Sequence, residues 1–240
     1  MPVNEIDRIA KVIAHRSDAS RREAEKLIAM HRVKVDGKVV DSPGVKVSYD
    51  AKITIDNALL KPLEKSKLFI FHKPGKTLCS KSDDRGRQTI YDILPKEYHD
   101  LKYVGRLDFM SEGLLLMTND GELARELTLP SNQIERVYEV RVYGLFDEER
   151  LRARLAKDVR LEGITYQIKH FSVIERSGAN AWVRVVLMEG KNREIRKVFD
   201  YFNLQISKLI RVSYGPYNLG RLKNGSIKEV KTIPQTGTDQ

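Results

Sequence analysis

The sequence is poor in the residues that build covalent and metal-bound frameworks. Of its 240 residues only one is a cysteine, Cys79, so a disulfide within the chain and a metal cage made of cysteines alone are both excluded. The five histidines show no spacing typical of zinc ligands. We therefore expect no bound metal, and we expect Cys79 to be an ordinary reduced thiol.

Long apolar runs are also missing. No stretch is long and apolar enough to cross a bilayer. The beginning, MPVNEIDRIAKV, lacks the uninterrupted apolar core of a signal peptide. These absences predict a cytoplasmic protein without a membrane partner.

Acidic residues are in the minority. Lys and Arg total 43 against 33 Asp and Glu, a formal net charge of +10, which favours a polyanionic partner. The excess is concentrated late in the chain, where residues 190–228 hold nine Lys or Arg and two Asp or Glu. Charge alone leaves RNA, DNA and an anionic membrane as alternatives.

The beginning of the chain has the pattern of two short helices. Apolar residues from Ile6 to Ile13 recur at helical spacing. Ser20 and Glu23 form a capping box, in which each side chain satisfies a backbone N–H that the first turn leaves free. The second helix is therefore predicted to start near Arg21.

A small sheet is predicted to follow these helices. The run VKVDGKVV contains Asp36 and Gly37, a pair that tolerates the positive φ angles of a tight hairpin turn. Apolar residues between Val45 and Ile55 supply further strands. Pro62 and several charges then interrupt the periodicity, as in a linker. We place a domain boundary near residue 62 and assign residues 1–60 to the first domain.

The rest of the chain mixes strands with helices. Strands are predicted at LFIFHKP, GLLLMTND, VYEVRVYG and WVRVVLMEG, and helices at GELARELT, DEERLRARLA and NREIRKVFDYF. Their order does not repeat a strand-helix-strand unit, so a doubly wound parallel sheet is not expected. The sequence predicts an α+β chain whose second domain spans residues 61–235, with a flexible tail at residues 236–240.

The first domain is predicted to have a basic surface. Basic side chains lie on or just after its second helix and in the hairpin: Arg21, Arg22, Lys26, Arg32 and Lys34. A rigid basic surface can contact the phosphates of a folded RNA without reading its bases. A solvated helix face is the alternative.

One carboxylate is distinguished by its neighbours in the run GRLDFMSEGLLLMTNDG. Gly105 and Gly113 allow sharp turns around Asp108, and residues Leu114 to Met117 predict a buried strand that anchors the loop. A carboxylate on an anchored loop can be held against a substrate carbon. A turn or capping role for Asp108 and a glycosidase-like pair with Glu112 are the alternatives.

These segments resemble known families. The run SRREAEKLIAMHRVKVDGKVV is similar to the S4 RNA-binding domain, and GRLDFMSEGLLLMTNDG resembles the signature motif of pseudouridine synthases of the RsuA/RluB type. RVYEV, EGKNREIRK and LIRVSYGPYNLG resemble further motifs of that family, so the resemblance covers roughly residues 5–225. It implies a small S4 domain followed by a pseudouridine synthase domain with a mixed, mainly antiparallel sheet.

The resemblance also implies an active site. Asp108 takes the position of the catalytic aspartate, Tyr138 that of the active-site tyrosine, and Arg196 that of the cation which an enclosed carboxylate requires. The substrate-binding residues that it implies are Arg106, Leu107, Arg193, Leu209 and Arg211.

Some of these residues have expected tasks. The ring of Tyr138 would hold the uracil and its hydroxyl would transfer a proton. Arg106 would enter the stack that the flipped base leaves. Arg193 and Arg196 are expected to lie one turn apart on a polar face of a helix that opens near Asn192.

The implied activity is the isomerisation of a uridine to pseudouridine in ribosomal RNA. The N1–C1′ bond is broken and C5 is joined to C1′, so no atom is gained or lost and no cofactor is expected. Asp108 could form a covalent adduct or remove a proton, and the sequence leaves both routes open. The strings KPGKTLCS and WVRVVLMEGKNREIRK resemble the RluB-type branch, which acts on large-subunit rRNA.

Two other functions stay open at this point. One is the same reaction on small-subunit rRNA, and the other is a non-catalytic RNA-binding protein of ribosome assembly. The expected partner is ribosomal RNA or a ribosomal assembly intermediate. No obligatory protein partner is expected, and the chain is expected to be a monomer.

Overall fold

The computed structural model describes residues 6–17, 19–62 and 64–233. The chain separates into two compact units. One contains the residues up to Ser66 together with Asn119–Gly121, and the other contains Lys67–Thr118 and the residues from Glu122 onward. The boundary between the units thus lies between Ser66 and Lys67, slightly later than the boundary that we placed near residue 62. The tail expected at residues 236–240 lies outside the described residues.

The first unit contains two helices and short strands. In chain order they are β1 (Ile6–Arg8), α1 (Ile9–Arg16), α2 (Arg21–Ala29), β2 (Val33–Val35), β3 (Lys38–Val39), β4 (Lys46–Ser48), β5 (Ile53–Ile55) and β6 (Ala58–Leu59). Strand β1 pairs with β4, and the other strands form an antiparallel sheet in the order β3-β2-β5-β6. Ile6 was expected on the first helix but lies in β1 opposite Ser48. Helical spacing could not reveal this pairing, because the partner strand is distant in the sequence.

Local chemistry fixes two features of this unit. The Glu23 N–H donates to the Ser20 hydroxyl at 3.2 Å, and the Ser20 N–H donates to the Glu23 carboxylate at 2.6 Å. The predicted capping box is confirmed, and α2 begins at Arg21. Asp36 and Gly37 have φ angles of 49° and 83°, the backbone that a tight hairpin between β2 and β3 requires.

The second unit is built on a nine-stranded sheet. Its elements are β7 (Leu68–Lys73), β8 (Lys102–Val104), β9 (Glu112–Thr118), α3 (Gly121–Glu126, whose first residue is grouped with the first unit), β10 (Arg136–Tyr143), α4 (Glu148–Leu155), β11 (Val159–Leu161), β12 (Ile164–Tyr166), β13 (His170–Ser177), β14 (Asn180–Leu187), α5 (Glu194–Tyr201), β15 (Gln205–Tyr214), β16 (Tyr217–Asn218) and β17 (Ile227–Val230). Seven of its strands follow the order β13-β14-β10-β15-β9-β7-β17, and the other two pair at the side, β8 with β9 and β16 with β15. Strands β11 and β12 form a separate ribbon.

The sheet is mixed and mainly antiparallel. Strand β9 runs parallel to β15, whereas the other described strand pairs of the second unit are antiparallel. The predicted strands and helices of this unit are present, and no doubly wound parallel sheet is formed among the described residues. The predicted fold class is confirmed.

Strand β9 is buried on both of its faces. Residues Leu114 to Met117 are each 0% exposed. Because a strand alternates its side chains, Leu115 packs into one core with Phe71, and Leu116 packs into another core with Ile70. The predicted buried strand is confirmed, and it gives rigid support to the loop that precedes it.

Helix α5 begins later than the sequence indicated. Its first residue is Glu194, and Arg193 is the N-cap residue with a left-handed φ of 52°. The helix packs on the sheet through Ile195, Val198 and Phe199. The apolar stripe is therefore as predicted, and the helix starts two residues after Asn192.

The helices of this protein are short. The longest of those described, α2, has nine residues. Within the described ranges, no helix is both long and apolar enough to span a membrane.

Candidate active site

A cavity of about 560 Å³ opens in the second unit, which is a volume suited to a small organic group. Its wall contains all the catalytic and substrate-binding residues named from the sequence: Arg106, Leu107, Asp108, Tyr138, Arg193, Arg196, Leu209 and Arg211. It also contains residues that the sequence did not single out for this site, among them Lys191, Arg136, Glu194 and Tyr214. Residues far apart in the chain are thus brought together by the sheet.

Asp108 lies on a tight turn between β8 and β9. Gly105 has a φ of 66°, which lets the chain turn after β8. Leu107 is buried in the core, and the Ser111 N–H donates to the Asp108 carbonyl oxygen at 3.0 Å. No ion pair joins the half-buried Asp108 carboxylate to a described cation. The backbone holds this residue and leaves its carboxylate available to a substrate.

Lys73, at the end of β7, stabilises the same turn. Its side chain is fully buried, and its Nζ donates to the carbonyl oxygens of Pro74 at 2.9 Å, Asp108 at 3.3 Å and Ser111 at 2.8 Å. Loss of hydration lowers the pKa of Lys73 to about 8. No local pattern in the sequence marks Lys73, because two of its acceptors are backbone atoms of a distant loop.

Strand register brings Tyr138 and Arg211 to the cavity. Tyr138 on β10 lies opposite Arg211 on β15, and Arg211 lies opposite Gly113 on β9. A Cβ atom on Gly113 would lie 2.3 Å from the Arg211 carbonyl oxygen. Gly113 was expected to allow a sharp turn, but it lies inside β9, where it permits the close approach of β15.

Arg211 is a buried cation in the cavity wall. It is 2% exposed, and its Nε donates to the Leu114 carbonyl oxygen at 2.7 Å. Its guanidinium carbon lies 5.0 Å from the centroid of the Tyr214 ring, a cation–π contact. Neither terminal nitrogen has a hydrogen-bond partner among the described residues, and Nη2 is inaccessible to solvent.

Arg136 supports this arrangement from the start of β10. Its Nη1 donates to the carbonyl oxygens of Ile134 at 2.9 Å and Met188 at 2.8 Å, and its Nη2 donates to the Tyr214 hydroxyl at 3.2 Å. Its guanidinium carbon also lies 5.0 Å from the Tyr214 ring centroid. Arg136 thereby fixes the ring that Arg211 contacts. The only signal in the sequence was its place in the RVYEV segment.

Arg196 lies on α5 and lines the cavity together with Asp108. It is half-buried, and its Nε is buried without a partner among the described residues. Burial lowers the pKa of Arg196, the charge of Arg193 lowers it further, and the charge of Asp108 opposes both effects. Arg196 and Asp108 thus interact through space without a direct ion pair, and the pairing inferred from the sequence stays a prediction.

The turn before α5 differs from its prediction. Arg193 is exposed and has a left-handed backbone, so it does not share a helical face with Arg196. Glu194 is 3% exposed, and its carboxylate accepts a hydrogen bond from the Lys191 N–H at 3.2 Å. Burial first and the charge of Glu189 second raise the pKa of Glu194 to about 7. In sequence, Glu194 resembles any acidic residue in a first helical turn.

The two alternatives for Asp108 lose support. Glu112 is absent from the wall of the cavity, and its Oε2 lies 3.4 Å from Lys208 Nζ. The two carboxylates therefore do not face one substrate, as a glycosidase would need. In the turn itself, the backbone carbonyl of Asp108 is the acceptor and the carboxylate is not. The Asp108 carboxylate therefore does not stabilise the turn, and a turn or capping role does not explain this side chain.

The basic residues of the first unit fall into two groups. Arg32 forms a bidentate ion pair with Asp56, and Lys34 Nζ donates to Asn57 Oδ1 at 2.9 Å. The others are exposed on α2: Arg21, Arg22 and Lys26. Helix α2 therefore presents three exposed cations of the predicted basic surface.

The remaining candidate groups are structural. Burial raises the pKa of the Cys79 thiol, whose Sγ lies 3.5 Å from the Leu107 carbonyl oxygen, and a raised pKa makes a thiol unreactive. His72 Nδ1 lies 2.8 Å from the Leu222 carbonyl oxygen. Among the residues that the structure describes, no group of His, Cys, Asp or Glu side chains is arranged to bind a metal.

Comparisons with known proteins agree with this fold. A family model described as RNA pseudouridylate synthase matches residues 67–201, and an S4 domain model matches residues 7–51. An uncharacterized RNA pseudouridine synthase of Rickettsia felis is 41% identical over 225 residues, with 94% of this chain and 97% of the relative covered. The ribosomal large subunit pseudouridine synthase B of Pasteurella multocida is 39% identical over 245 residues, with 100% of this chain and 68% of the relative covered. A crystal structure of a pseudouridylate synthase has a TM-score of 0.64 at 27% identity, covering 94% of this chain and 96% of that chain.

The class of protein defined by these features is an RNA-modifying isomerase. The chain belongs to the RNA pseudouridylate synthase family, in the RsuA/RluB-type arrangement with an N-terminal S4 domain. The resemblance and the enzyme class inferred from the sequence motifs are confirmed. RNA is also confirmed as the kind of partner. The enzyme class, and not the partner, argues against the non-catalytic alternative.

Proposed function

We propose that this enzyme converts a uridine of large-subunit ribosomal RNA into pseudouridine, with Asp108 as the reacting carboxylate. The observation that carries the proposal is a half-buried carboxylate on a rigid turn, in a cavity whose wall is rich in cations. Those cations are Arg106, Arg136, Lys191, Arg193, Arg196 and Arg211. Such a wall attracts an RNA backbone and favours an ionised carboxylate.

The reaction rearranges bonds within one nucleotide. The N1–C1′ bond is broken, the uracil turns, and C5 is joined to C1′. The hydrogen on C5 is lost while N1 gains one, so the balanced reaction consumes no external reagent. Asp108 contributes either through an adduct at the sugar or base, or by removing the proton that starts an elimination.

The neighbours of Asp108 have matching tasks. Tyr138 is 8% exposed and lines the cavity, so its ring can hold the uracil and its hydroxyl can transfer the proton at C5. Leu107 and Leu209 supply apolar wall. Arg196 stabilises the charge of Asp108 through space.

The target base must leave its stack to reach the cavity. Arg106 is exposed and is separated from Asp108 only by the buried Leu107. Its side chain can therefore enter the gap in the stack while Asp108 reaches the extruded nucleotide. Arg193 is another exposed cation of the wall and suits a phosphate contact.

The choice of RNA follows from the relatives. Proteins of Pasteurella multocida and Haemophilus influenzae, both 39% identical to this chain, are ribosomal large subunit pseudouridine synthases B. The motif strings KPGKTLCS and WVRVVLMEGKNREIRK favour the same branch. The partner would be large-subunit rRNA or an assembly intermediate that contains it.

Carbodiimide mapping of pseudouridines tests this function. Unmodified large-subunit and small-subunit rRNAs, each free and in assembly intermediates, are incubated with the enzyme and read by primer extension. We expect one new stop in large-subunit rRNA, and no stop with Asp108→Asn. A stop confined to small-subunit rRNA would show that small-subunit rRNA is the substrate. No stop in either rRNA would mean that the substrate is another RNA.

A further inference from the structure

Arg211 has more hydrogen-bond donors than the fold uses. A guanidinium carries five N–H bonds, and the one on Nε is directed to the Leu114 carbonyl oxygen. The N–H bonds of Nη1 and Nη2 have no partner among the described residues, although the side chain is 2% exposed. Because Nη2 is inaccessible to solvent, the donor that a group in the cavity can reach is Nη1, and a hydrogen bond to it would offset part of the cost of the buried charge.

Arg211 forms no ion pair with a carboxylate of the described residues, although Asp108 lines the same cavity. Two other buried cations lie nearby: Arg136, which contacts the same Tyr214 ring, and Lys73, whose pKa the charge of Arg211 helps to lower. Lys73 already donates to backbone carbonyl oxygens, and Glu112 lies beside Lys208. The charge of Arg211 therefore remains available to a group in the cavity.

The geometry of Arg211 is also fixed in advance. The bond from Nε orients the guanidinium plane, and the Tyr214 ring supports it at 5.0 Å. Arg136 in turn holds the Tyr214 hydroxyl. Donors that are held in place before the reaction stabilise developing charge without the cost of reorganisation.

We propose that Arg211 is a further catalytic residue, whose Nη1 donates a hydrogen bond to a uracil carbonyl oxygen, O2 or O4, while the base is detached from C1′. When the N1–C1′ bond breaks, its electron pair moves onto the uracil ring and is shared with these oxygens. The charge leaves them when C5 bonds to C1′, after which C5 loses its proton and N1 gains one. The inference rests on the cavity being the active site, as proposed above.

The first test is the variant Arg211→Met, which keeps much of the apolar stem and removes every donor. In single-turnover tritium release from C5-labelled uridine at saturating enzyme, we expect the rate to fall by about a hundredfold, the usual effect of removing a preorganised donor. RNA affinity should change by less than about tenfold, because many contacts share it. The matched control is Arg160→Met, which alters an exposed residue of β11 outside the cavity wall and should react at the wild-type rate.

Substrate analogues separate catalysis from a structural role. RNA with 2-thiouridine or 4-thiouridine at the target replaces one oxygen with sulfur, a weaker acceptor. One of the two analogues should slow the wild-type reaction by about tenfold. The same analogue should slow Arg211→Met much less, because the variant already lacks the hydrogen bond that the sulfur weakens. If Arg211→Met unfolds in a thermal melt, Arg211→Leu, which also lacks every donor, replaces it in the same comparison.

The outcomes distinguish this inference from the proposed function. Equal slowing of wild type and variant by both analogues, or a wild-type rate in Arg211→Met, would overturn the role of Arg211 while Asp108→Asn remained inactive. An active Asp108→Asn enzyme would remove the cavity assignment and, with it, the role of Arg211.

Discussion

Lys73 Nζ and the backbone carbonyl oxygen of Asp108 are joined by a hydrogen bond of 3.3 Å. A fully buried ammonium group thereby holds the peptide group of the proposed catalytic residue. The same ammonium group donates to Ser111 at 2.8 Å, so one cation fixes both ends of the turn.

This arrangement predicts a particular dependence of stability on pH. Burial lowers the pKa of Lys73 from 10.5 to about 8, so between these values the unfolded chain binds more protons than the native chain. The contribution of Lys73 to the free energy of unfolding should therefore increase as the pH rises from about 8 to 10.5. Urea unfolding at several pH values should show wild type gaining stability relative to Lys73→Met. The exposed Lys76→Met variant is the control, and an unchanging difference between wild type and Lys73→Met would refute the effect.

The close approach of β15 to Gly113 predicts that adding one methyl group at this position strongly destabilises the fold. In Gly113→Ala the new Cβ would lie 2.3 Å from the Arg211 carbonyl oxygen. Gly178→Ala is the matched control, because Gly178 also has a positive φ, 58°, but no atom within 4 Å of the new Cβ. We expect the control to cost about 1 kcal/mol and Gly113→Ala to cost about 1–3 kcal/mol more. Denaturant unfolding measures both, and equal destabilisation would show that β9 and β15 can separate without penalty.

Arg196 and its neighbour Lys197 form a second matched pair. Arg196 lines the cavity, whereas Lys197 Nζ lies 3.7 Å from Glu162. Arg196→Met should lower the single-turnover rate by about a hundredfold or more, because Asp108 loses a nearby cation in a partly buried site. RNA affinity should fall by less than about tenfold, and Lys197→Met should react normally. Equal rates in Arg196→Met and Lys197→Met would show that Arg196 is not the charge partner of Asp108.

The exposed face of α2 predicts an effect on binding rather than on chemistry. The double variant Arg21→Glu, Arg22→Glu should weaken RNA affinity. It should also reduce the slope of the logarithm of the binding constant against the logarithm of the salt concentration, by roughly one for each phosphate that the helix no longer neutralises. The pair Lys52→Glu and Lys61→Glu changes the net charge equally at exposed positions outside α2. Filter binding across salt concentrations compares them. Identical salt slopes would mean that net charge, and not this helix, binds RNA.

Sequence reasoning succeeded where the signal was local. The capping box of Ser20 and Glu23, the hairpin turn at Asp36 and the buried strand after Asp108 each depend on residues close in the chain. For the same reason the apolar stripe of α5 was found from its period alone.

What the sequence could not reveal depends on contacts between distant segments. The Nζ of Lys73 and the Nη1 of Arg136 donate to backbone carbonyl oxygens, which any residue can supply. Glu194 has a raised pKa only because the fold buries it beside Glu189. The left-handed backbone of Arg193 moved it off the helix face, and neither propensity nor spacing indicates such a turn.

The most direct test of the account is tritium release by Asp108→Asn. The substitution keeps the size of the side chain and removes the charge that nucleophilic or base chemistry requires. Binding should survive, because it is distributed over many basic residues, and a thermal melt checks the fold. With C5-tritiated large-subunit rRNA, wild type should release tritium without added cofactor, and the folded, RNA-bound variant should release none. Tritium release by Asp108→Asn at a rate near that of wild type would contradict the central claim that Asp108 performs the isomerisation.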